Sequence, residues 1–320
     1  MDRIGPRFAI LNFSLTLIAA SALAGAATPQ AHFPIRSAQW LDPAQRLTEL
    51  SSQPYECAAI PRDRAERSLF ETGRAAFRTP LLVGGQAARS GLACASCHSN
   101  GRRNPAFHFP GVSGDPGTAD VTSSLMSSHR GNGLFDPKPI PDLALPGRIS
   151  RARGDPALEA FIRGLIVEEF DGAVPPRPIL QGLGVYVRSL GQSACDLSRR
   201  KPIRLGDMML DIARAVTASR QAWTSGNAET ARLLIAGARS GLGLVNERYA
   251  APELSRDREA IRIADRELLA IQQVMDGKRG DVAARIAAWQ SSFVRLAMIL
   301  QNGQKRSLFD AVRLRQQLNR

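Results

Sequence analysis

Two cysteines and one histidine in the first third of the chain have the types and the spacing that a covalent cofactor needs. Cys94 and Cys97 are separated by two residues, and His98 follows the second cysteine directly. In the order Cys-x-x-Cys-His, the thiols can form thioethers with the two vinyl groups of a haem while the imidazole binds the iron. We therefore predict one covalent haem c, with Cys94 and Cys97 as its attachment points and His98 as the proximal iron ligand.

Two other chemistries use the same residue types. A Cys-x-x-Cys redox pair is expected in a βαβ context, and a structural zinc site needs two further clustered ligands. The sequence around residues 94–98 shows neither feature. A redox pair and half of a zinc site therefore stay as the alternatives to haem.

The N-terminus has the pattern of a secretory signal peptide. Arg3 and Arg7 precede an apolar stretch over residues 8–24, and small residues follow it. A retained membrane anchor fits less well, because Asn12 interrupts a stretch already shorter than the ~20 apolar residues of a spanning helix. We predict a cleaved signal over residues 1–26, export to the periplasm, and no transmembrane span in the mature chain.

The remaining cysteines fit an oxidising compartment. Cys57 precedes the first predicted helix, and Cys195 follows the last predicted helix of the same region. Disulfides persist outside the cytoplasm, and one that closes a long loop typically stabilises a fold by ~2–4 kcal/mol. We predict a Cys57–Cys195 disulfide that marks the borders of the haem domain.

The amino-acid composition of the chain changes near residue 199. Gly and Pro are dense before that point, whereas long amphipathic patterns nearly free of proline follow it. Helical periodicity predicts helices over residues 65–77, 156–170 and 179–190 in the first part. In the second part, four apolar stripes and a shorter helix after Ser307 predict an antiparallel bundle of four or five helices. The predicted divisions are a signal at 1–26, an N-terminal extension at 27–56, a haem domain at 57–198, a basic linker at 199–203 and the bundle at 204–320.

Three stretches of the first part resemble the bacterial cytochrome c fold. They are Leu-Phe-x-x-Gly-Arg-x-x-Phe at 69–77, the haem motif, and Leu-x-x-Tyr-Val-Arg-Ser-Leu at 183–190. Residues 91–98, 107–112 and 122–125 are similar to elements of the branch that contains di-haem cytochrome c peroxidases and methylamine-utilisation-type enzymes. The resemblance covers about residues 64–191. It implies a mainly α protein with a cytochrome c-like haem domain, followed here by the α-helical bundle.

One departure from that branch decides the expected function. Its enzymes use two haems, whereas this chain has a single Cys-x-x-Cys-His motif. A di-haem peroxidase mechanism therefore cannot be carried over. We expect a periplasmic mono-haem cytochrome that transfers one electron at a time. The alternative is a peroxidase-like haem enzyme with an open distal site and an external electron donor.

The second axial ligand of the iron separates these two functions. A filled position suits electron transfer, whereas an open one can bind peroxide or another small ligand. Met126 is the candidate thioether ligand, and His108 and His129 are the alternative imidazoles. An open site is the remaining possibility at this stage.

Other polar residues near the motif have weaker assignments. Arg102 and Arg103 could pair with the haem propionates, since arginine binds carboxylates through a bidentate fork, or could be solvated surface residues. Glu168, Glu169 and Asp171 form an acidic cluster that could supply a general acid or base, although a solvent-exposed helix end suits it better.

The charge of the chain indicates the kind of partner. The formal net charge is +13 at pH 7, and a positive field attracts acidic partners in a salt-dependent way. An acidic redox protein or an anionic membrane surface is the expected partner. Nucleic acid is not expected, because the arginines are spread over amphipathic helices and form no reading motif. The sequence does not indicate an oligomeric state.

Overall fold

A computed structural model describes Met1 and residues 33–319, except Ser124 and residues 278–280. The predicted signal peptide and residues 27–32 of the predicted N-terminal extension lie outside the described residues. The described chain is mainly helical, as predicted from the sequence. Among the described residues, no helix has the length and the apolar character that crossing a membrane would need.

The chain from Phe33 enters the fold through short elements. A 3-10 turn at Arg36–Trp40 leads to helix α1 (Arg46–Ser51) and strand β1 (Ser52–Pro54). Strand β1 pairs in antiparallel orientation with strand β6 (Arg200–Pro202), so that Gln53 lies opposite Lys201. The segment predicted as a linker thus contains a strand that pairs with the predicted N-terminal extension.

Two helices cross at a glycine contact and form the centre of the first part. Helix α2 (Arg64–Ala76) begins at Asp63, whose side chain accepts a hydrogen bond from the Glu66 backbone N–H, and helix α6 (Arg177–Ser189) packs against it. A Cβ atom on Gly73 would lie 1.9 Å from the carbonyl oxygen of Gly182. The helices can approach this closely only because both contact residues lack side chains.

Short elements connect these two helices. They include α3 (Gly85–Arg89), α4 (Cys94–Cys97), β2 (His98–Ser99), β3 (Arg102–Arg103), β4 (Thr118–Ala119) and β5 (Lys138–Pro139). The helix predicted over 156–170 is α5 (Ala157–Gly164) followed by a π-helical turn at Leu165–Glu169. Leu158 and Ile166 of this stretch are buried, whereas Phe161 is exposed.

In the described residues of the C-terminal part, the α-helices are α7 (Leu205–Thr224), α8 (Ala228–Arg248), α9 (Ser255–Gly277), α10 (Val282–Gly303) and α11 (Ala311–Leu318). Helix α7 packs on α8, α8 on α9, α9 on α10, and α10 on α7. Their buried faces form one apolar cluster that includes Trp289, whose indole N–H donates to the carbonyl of Ala264 over 3.0 Å.

The two parts of the chain share contacts. Helix α2 packs on α7 and α8 as well as on α6, and residues Phe33–Arg320 form one compact unit. Arg74 of α2 and Arg78, two residues beyond the end of α2, form ion pairs with Asp211 of α7 over 3.3 and 3.4 Å. The C-terminal helices therefore support α2, which precedes the predicted haem motif.

Candidate haem-attachment site

The motif occupies one helical turn that is fixed at both ends. The Ala95 backbone N–H donates to the carbonyl of Phe77 at the end of α2 over 3.1 Å. Asn104 closes the turn from the other side, since its side-chain amide donates to the Ser96 carbonyl and its backbone N–H to the Cys97 carbonyl, both over 2.9 Å. The motif turn is therefore fixed by hydrogen bonds to Phe77 on one side and to Asn104 on the other.

A tight hairpin follows the motif and carries His98. Strands β2 and β3 pair His98 with Arg103, and the turn between them places Asn100 and Gly101 in the left-handed region with φ of 52° and 76°. A Cβ atom at Gly101 would come within 2.5 Å of the Leu190 side chain. Gly101 thus allows the hairpin to pack against the end of α6.

The two thiols face different surroundings. Both are free of disulfide bonds. Cys94 packs against the apolar cluster that contains Phe77 and Tyr186, whereas Cys97 packs against the cluster that contains Phe109 and Met126. Burial raises the pKa of Cys94 to about 11 and that of Cys97 to about 12. Reactive Cys-x-x-Cys pairs have lowered pKa values, so these surroundings do not activate a redox pair.

The imidazole of His98 is held neutral. Burial lowers the pKa of His98 to about 4, although the carbonyl of Pro141 and the carboxylate of Asp142 act in the opposite direction. Its Nδ1 atom is buried and makes no hydrogen bond of ordinary geometry within the described part of the chain. A neutral imidazole is the form that binds a metal, and a buried ring nitrogen without a partner needs an explanation.

These residues fit a haem better than a single metal ion. Among residues 33–123, 125–277 and 281–319, no three His, Cys, Asp or Glu side chains come close enough together to hold a metal ion. Cys94, Cys97 and His98 therefore do not converge as zinc ligands must. A haem requires no such convergence, because its thioether carbons and its iron are different atoms of a wide ring.

Met126 lies in the apolar cluster against which Cys97 packs. Its side chain is only 1% exposed, and its backbone N–H donates to the Ser123 carbonyl over 2.9 Å. The adjacent Leu125 is exposed. The loop thus directs the thioether inwards, on the same side of the motif as Cys97.

The two candidate histidines have different surroundings. His108 is half-buried, and its backbone N–H donates to the Trp40 carbonyl over 2.7 Å. His129 is exposed, and its Nδ1 lies 3.0 Å from a carboxylate oxygen of Asp171. The carboxylate therefore holds the His129 ring at the surface, away from the buried cluster of Met126.

Neither role considered for Arg102 agrees with the structure. Arg102 is buried, and its guanidinium lies 2.7–2.9 Å from both carboxylate oxygens of Asp142. Arg102 is therefore neither a solvated residue nor a free partner for a haem propionate. Arg103 points to solvent. The motif spacing gave no signal for Asp142, which lies forty residues further along the chain.

The acidic cluster near residue 170 is only partly at the surface. Glu169 is buried, burial raises its pKa, and one carboxylate oxygen receives a hydrogen bond from Arg130 over 2.8 Å. Glu168 also pairs with Arg130. Asp171 accepts hydrogen bonds from the Ser128 backbone N–H, which hold its pKa below the usual value. The acidic cluster thus fixes the loop after Met126 through Arg130 and Ser128. The sequence did not indicate this contact for Arg130.

The structure joins Cys57 to Cys195 in a disulfide across 138 residues of sequence, with 5.1 Å between the Cα atoms. Cys57 is fully buried. Its carbonyl accepts a hydrogen bond from the Gly191 backbone N–H over 2.9 Å. The segments before α2 and after α6 are therefore connected covalently and through their backbones.

No protein-family model, no curated protein and no solved structure matches this chain.

Proposed function

We propose that the chain is an exported c-type cytochrome that carries one covalent haem and transfers single electrons in the periplasm. The observation that carries the proposal is the setting of the motif. Two unpaired thiols pack against two different apolar clusters, and they lie beside an imidazole that burial keeps neutral. A haem would attach to both thiols, and its iron would bind the neutral ring.

Individual residues would have separate roles in holding the haem. Cys94 and Cys97 would hold the haem covalently, and His98 and Met126 would bind its iron. When bound, the haem supplies one-electron transfer between ferrous and ferric iron. The apolar clusters exclude water, and burial keeps His98 neutral and thus able to coordinate.

The proposed architecture is a cytochrome c-like domain over residues 57–198 and an antiparallel α-helical bundle over residues 204–320. The disulfide between Cys57 and Cys195 supports an oxidising compartment. The net charge of +13 supports docking of an acidic redox protein or an anionic membrane surface.

One observation favours the peroxidase-like enzyme as a second candidate. Glu169 is a buried carboxyl with a raised pKa, and it lies beside Arg130 in the loop that follows Met126. A carboxyl of this kind can act as a general acid. If the distal position were open, Glu169 would be a candidate acid, and the iron would need electrons from another protein.

Detection of covalently attached haem tests the proposal. The full chain is produced with a bacterial haem-attachment system, and haem is detected on a denaturing gel and by intact mass. We expect one haem per chain, its loss in the double variant Cys94→Ser/Cys97→Ser, and its retention in the control His129→Ala. A wild-type chain that folds in the presence of that system but carries no covalent haem would contradict the proposal.

A further inference from the structure

The outer face of helix α10 exposes aliphatic side chains that the rest of the fold does not cover. Val294, Met298 and Ile299 are 61%, 55% and 48% exposed. Ala287 and Ser291, both exposed, continue this face toward the start of the helix, because residues three and four apart on a helix are neighbours. Apolar side chains grouped on one exposed face mark an interaction surface.

The same helix carries positive charge and no negative charge. From Val282 to Phe309 the chain contains no Asp or Glu. The four cations of this segment are all exposed: Arg285, Arg295, Lys305 and Arg306. Helix α9 differs, since its Glu259 pairs with Arg262 over 2.7 Å and with Arg266 over 2.8 Å. Helix α10 therefore combines an exposed apolar face with cations that no acid of its own segment neutralises.

The chemistry of this face distinguishes three kinds of partner. A second copy of the chain would bring the same cations together across a symmetric interface, which like charges oppose. An acidic protein would match the charge, but tight protein contacts depend on aromatic anchors in pockets, whereas the exposed apolar residues here are aliphatic and stand on one helix. An anionic lipid bilayer matches both properties. Its headgroups attract cations, and its headgroup–acyl boundary accepts the aliphatic side chains of a helix that lies in its plane.

We propose that the outer face of α10 docks on an anionic phospholipid bilayer. Its aliphatic side chains enter the boundary between headgroups and acyl chains, and its four cations contact the headgroup phosphates. This inference deepens the proposed function and rests on it in one respect, because export brings the chain to a membrane surface. It does not depend on the haem.

Binding to lipid vesicles tests the proposal. The mature chain without residues 1–26 is used, because the apolar stretch of the signal would itself bind lipid and residues 33–320 form a compact unit. Co-sedimentation is measured with vesicles of phosphatidylcholine alone and with phosphatidylglycerol added. We expect binding only to the anionic vesicles, and its loss at high salt, which screens the headgroup charge. Equal binding to both vesicles, or binding to neither, would overturn the proposal.

A matched pair of variants tests the aliphatic contact. Val294→Gln/Met298→Gln removes two exposed aliphatic side chains from α10, and Leu244→Gln/Leu269→Gln removes two from α8 and α9. We expect the first variant to bind anionic vesicles several-fold more weakly and the second to bind like the wild type. Circular dichroism verifies that both variants fold. Equal affinities of the two variants would show that α10 does not enter the bilayer.

A second pair separates the local cations from the net charge. Arg295→Gln/Arg306→Gln and Arg262→Gln/Arg266→Gln each remove two positive charges, but the second pair of arginines is already bound to Glu259. We expect only the first variant to lose affinity for anionic vesicles. Equal losses would show that net charge alone drives binding, and the assignment to α10 would be wrong.

Other partners for this face give different results. A dimer in sedimentation velocity that Val294→Gln/Met298→Gln dissociates would assign the face to a second copy and overturn the proposal. Binding to soluble polyglutamate without binding to vesicles would assign the cations to an acidic protein, with the same consequence. A chain that binds anionic vesicles through α10 but carries no covalent haem would contradict the proposed function and leave this inference standing.

Discussion

At the residue scale, the distal iron ligand separates the electron carrier from the enzyme. Met126 is buried in the cluster that Cys97 joins, whereas the His129 ring is held at the surface by Asp171. Burial alone does not make a ligand, because a methionine also serves as ordinary core filling. A substitution that removes the sulfur but preserves the volume is therefore the informative one.

We expect Met126→Leu to convert a low-spin, six-coordinate haem into a species that is high-spin or binds carbon monoxide. Leucine has a similar volume but no donor atom, so the fold should lose less than about 1.5 kcal/mol. Absorption spectra of the oxidised and reduced protein measure the change, with His129→Ala as the control that leaves the spectrum unchanged. If His108→Ala changes the spectrum and Met126→Leu does not, the Met126 assignment is wrong.

Residue types and spacing in the sequence predict Cys94, Cys97 and His98 as one haem-attachment site, because the motif is local, and this stays a prediction. They gave no signal for the ion pairs of Arg102 with Asp142 and of Arg130 with Glu169. The partners in these pairs are 40 and 39 residues apart in sequence, and no short-range periodicity encodes such contacts. The buried ion pair of Arg102 was therefore interpreted wrongly as a propionate contact or a surface group.

At the scale of elements, the crossing of α2 and α6 depends on two glycines. We expect Gly73→Ala to reduce the free energy of unfolding by about 1–3 kcal/mol or more, because the new methyl group would meet the Gly182 backbone, which cannot rotate away. Urea unfolding of the haem-loaded protein, followed by circular dichroism, measures the loss. Gly206→Ala, on α7 with no atom near the new methyl group, should be neutral or stabilising by about 0.4–1 kcal/mol. Equal stabilities of the two variants would contradict the close crossing.

A buried ion-pair network joins α2, α6 and α7 around one carboxylate. Burial alone would raise the pKa of Glu56, but Arg78 and Arg74 outweigh burial and lower it to about 2. The Tyr186 hydroxyl also donates to Glu56 over 2.8 Å. Because the folded pKa lies below the unfolded value, this carboxylate stabilises the fold above about pH 4.5, and the contribution disappears as the pH falls toward 2.

Glu56→Gln should therefore lower the free energy of unfolding at pH 7 by about 3 kcal/mol and flatten its dependence on pH between 4.5 and 2. Urea unfolding at a series of pH values measures both effects. Glu267→Gln is the control, since this residue is exposed on α9 and should leave the pH profile unchanged. A profile for Glu56→Gln that parallels the wild type would show that the network contributes no pH-dependent stability.

Periodicity predicted most helices but not their local irregularities. Six apolar residues that recur at helical spacing along α10 are all buried: Val282, Ile286, Trp289, Phe293, Leu296 and Leu300. On α9, however, Ile263 and Leu269 lie in the apolar pattern of the sequence but are exposed. Each lies one or two residues from a buried position, and residues that close together on a helix point to different faces. The strand at Arg200–Pro202 was missed because its partner, residues 52–54, is distant in sequence.

At the scale of the whole molecule, positive charge is the property most open to test. The chain has 42 Lys and Arg against 29 Asp and Glu. Many arginines near the proposed site are already paired, including Arg74, Arg78, Arg102 and Arg130. The excess of cations nevertheless remains, and it produces a field that a small charged reactant experiences before contact.

We expect electron transfer from the reduced protein to a small anionic oxidant to slow as ionic strength rises, and transfer to a small cationic oxidant to accelerate. The Debye length falls from about 10 Å at 0.1 M salt to about 3 Å at 1 M salt, so salt screens attraction and repulsion alike. Stopped-flow absorbance of the haem measures both rates over this range. Since the two oxidants serve as controls for each other, a general effect of salt on stability would change both rates in the same direction. Parallel salt dependence for both oxidants would show that the field at the haem edge is not positive, and docking of an acidic partner there would lose its physical basis.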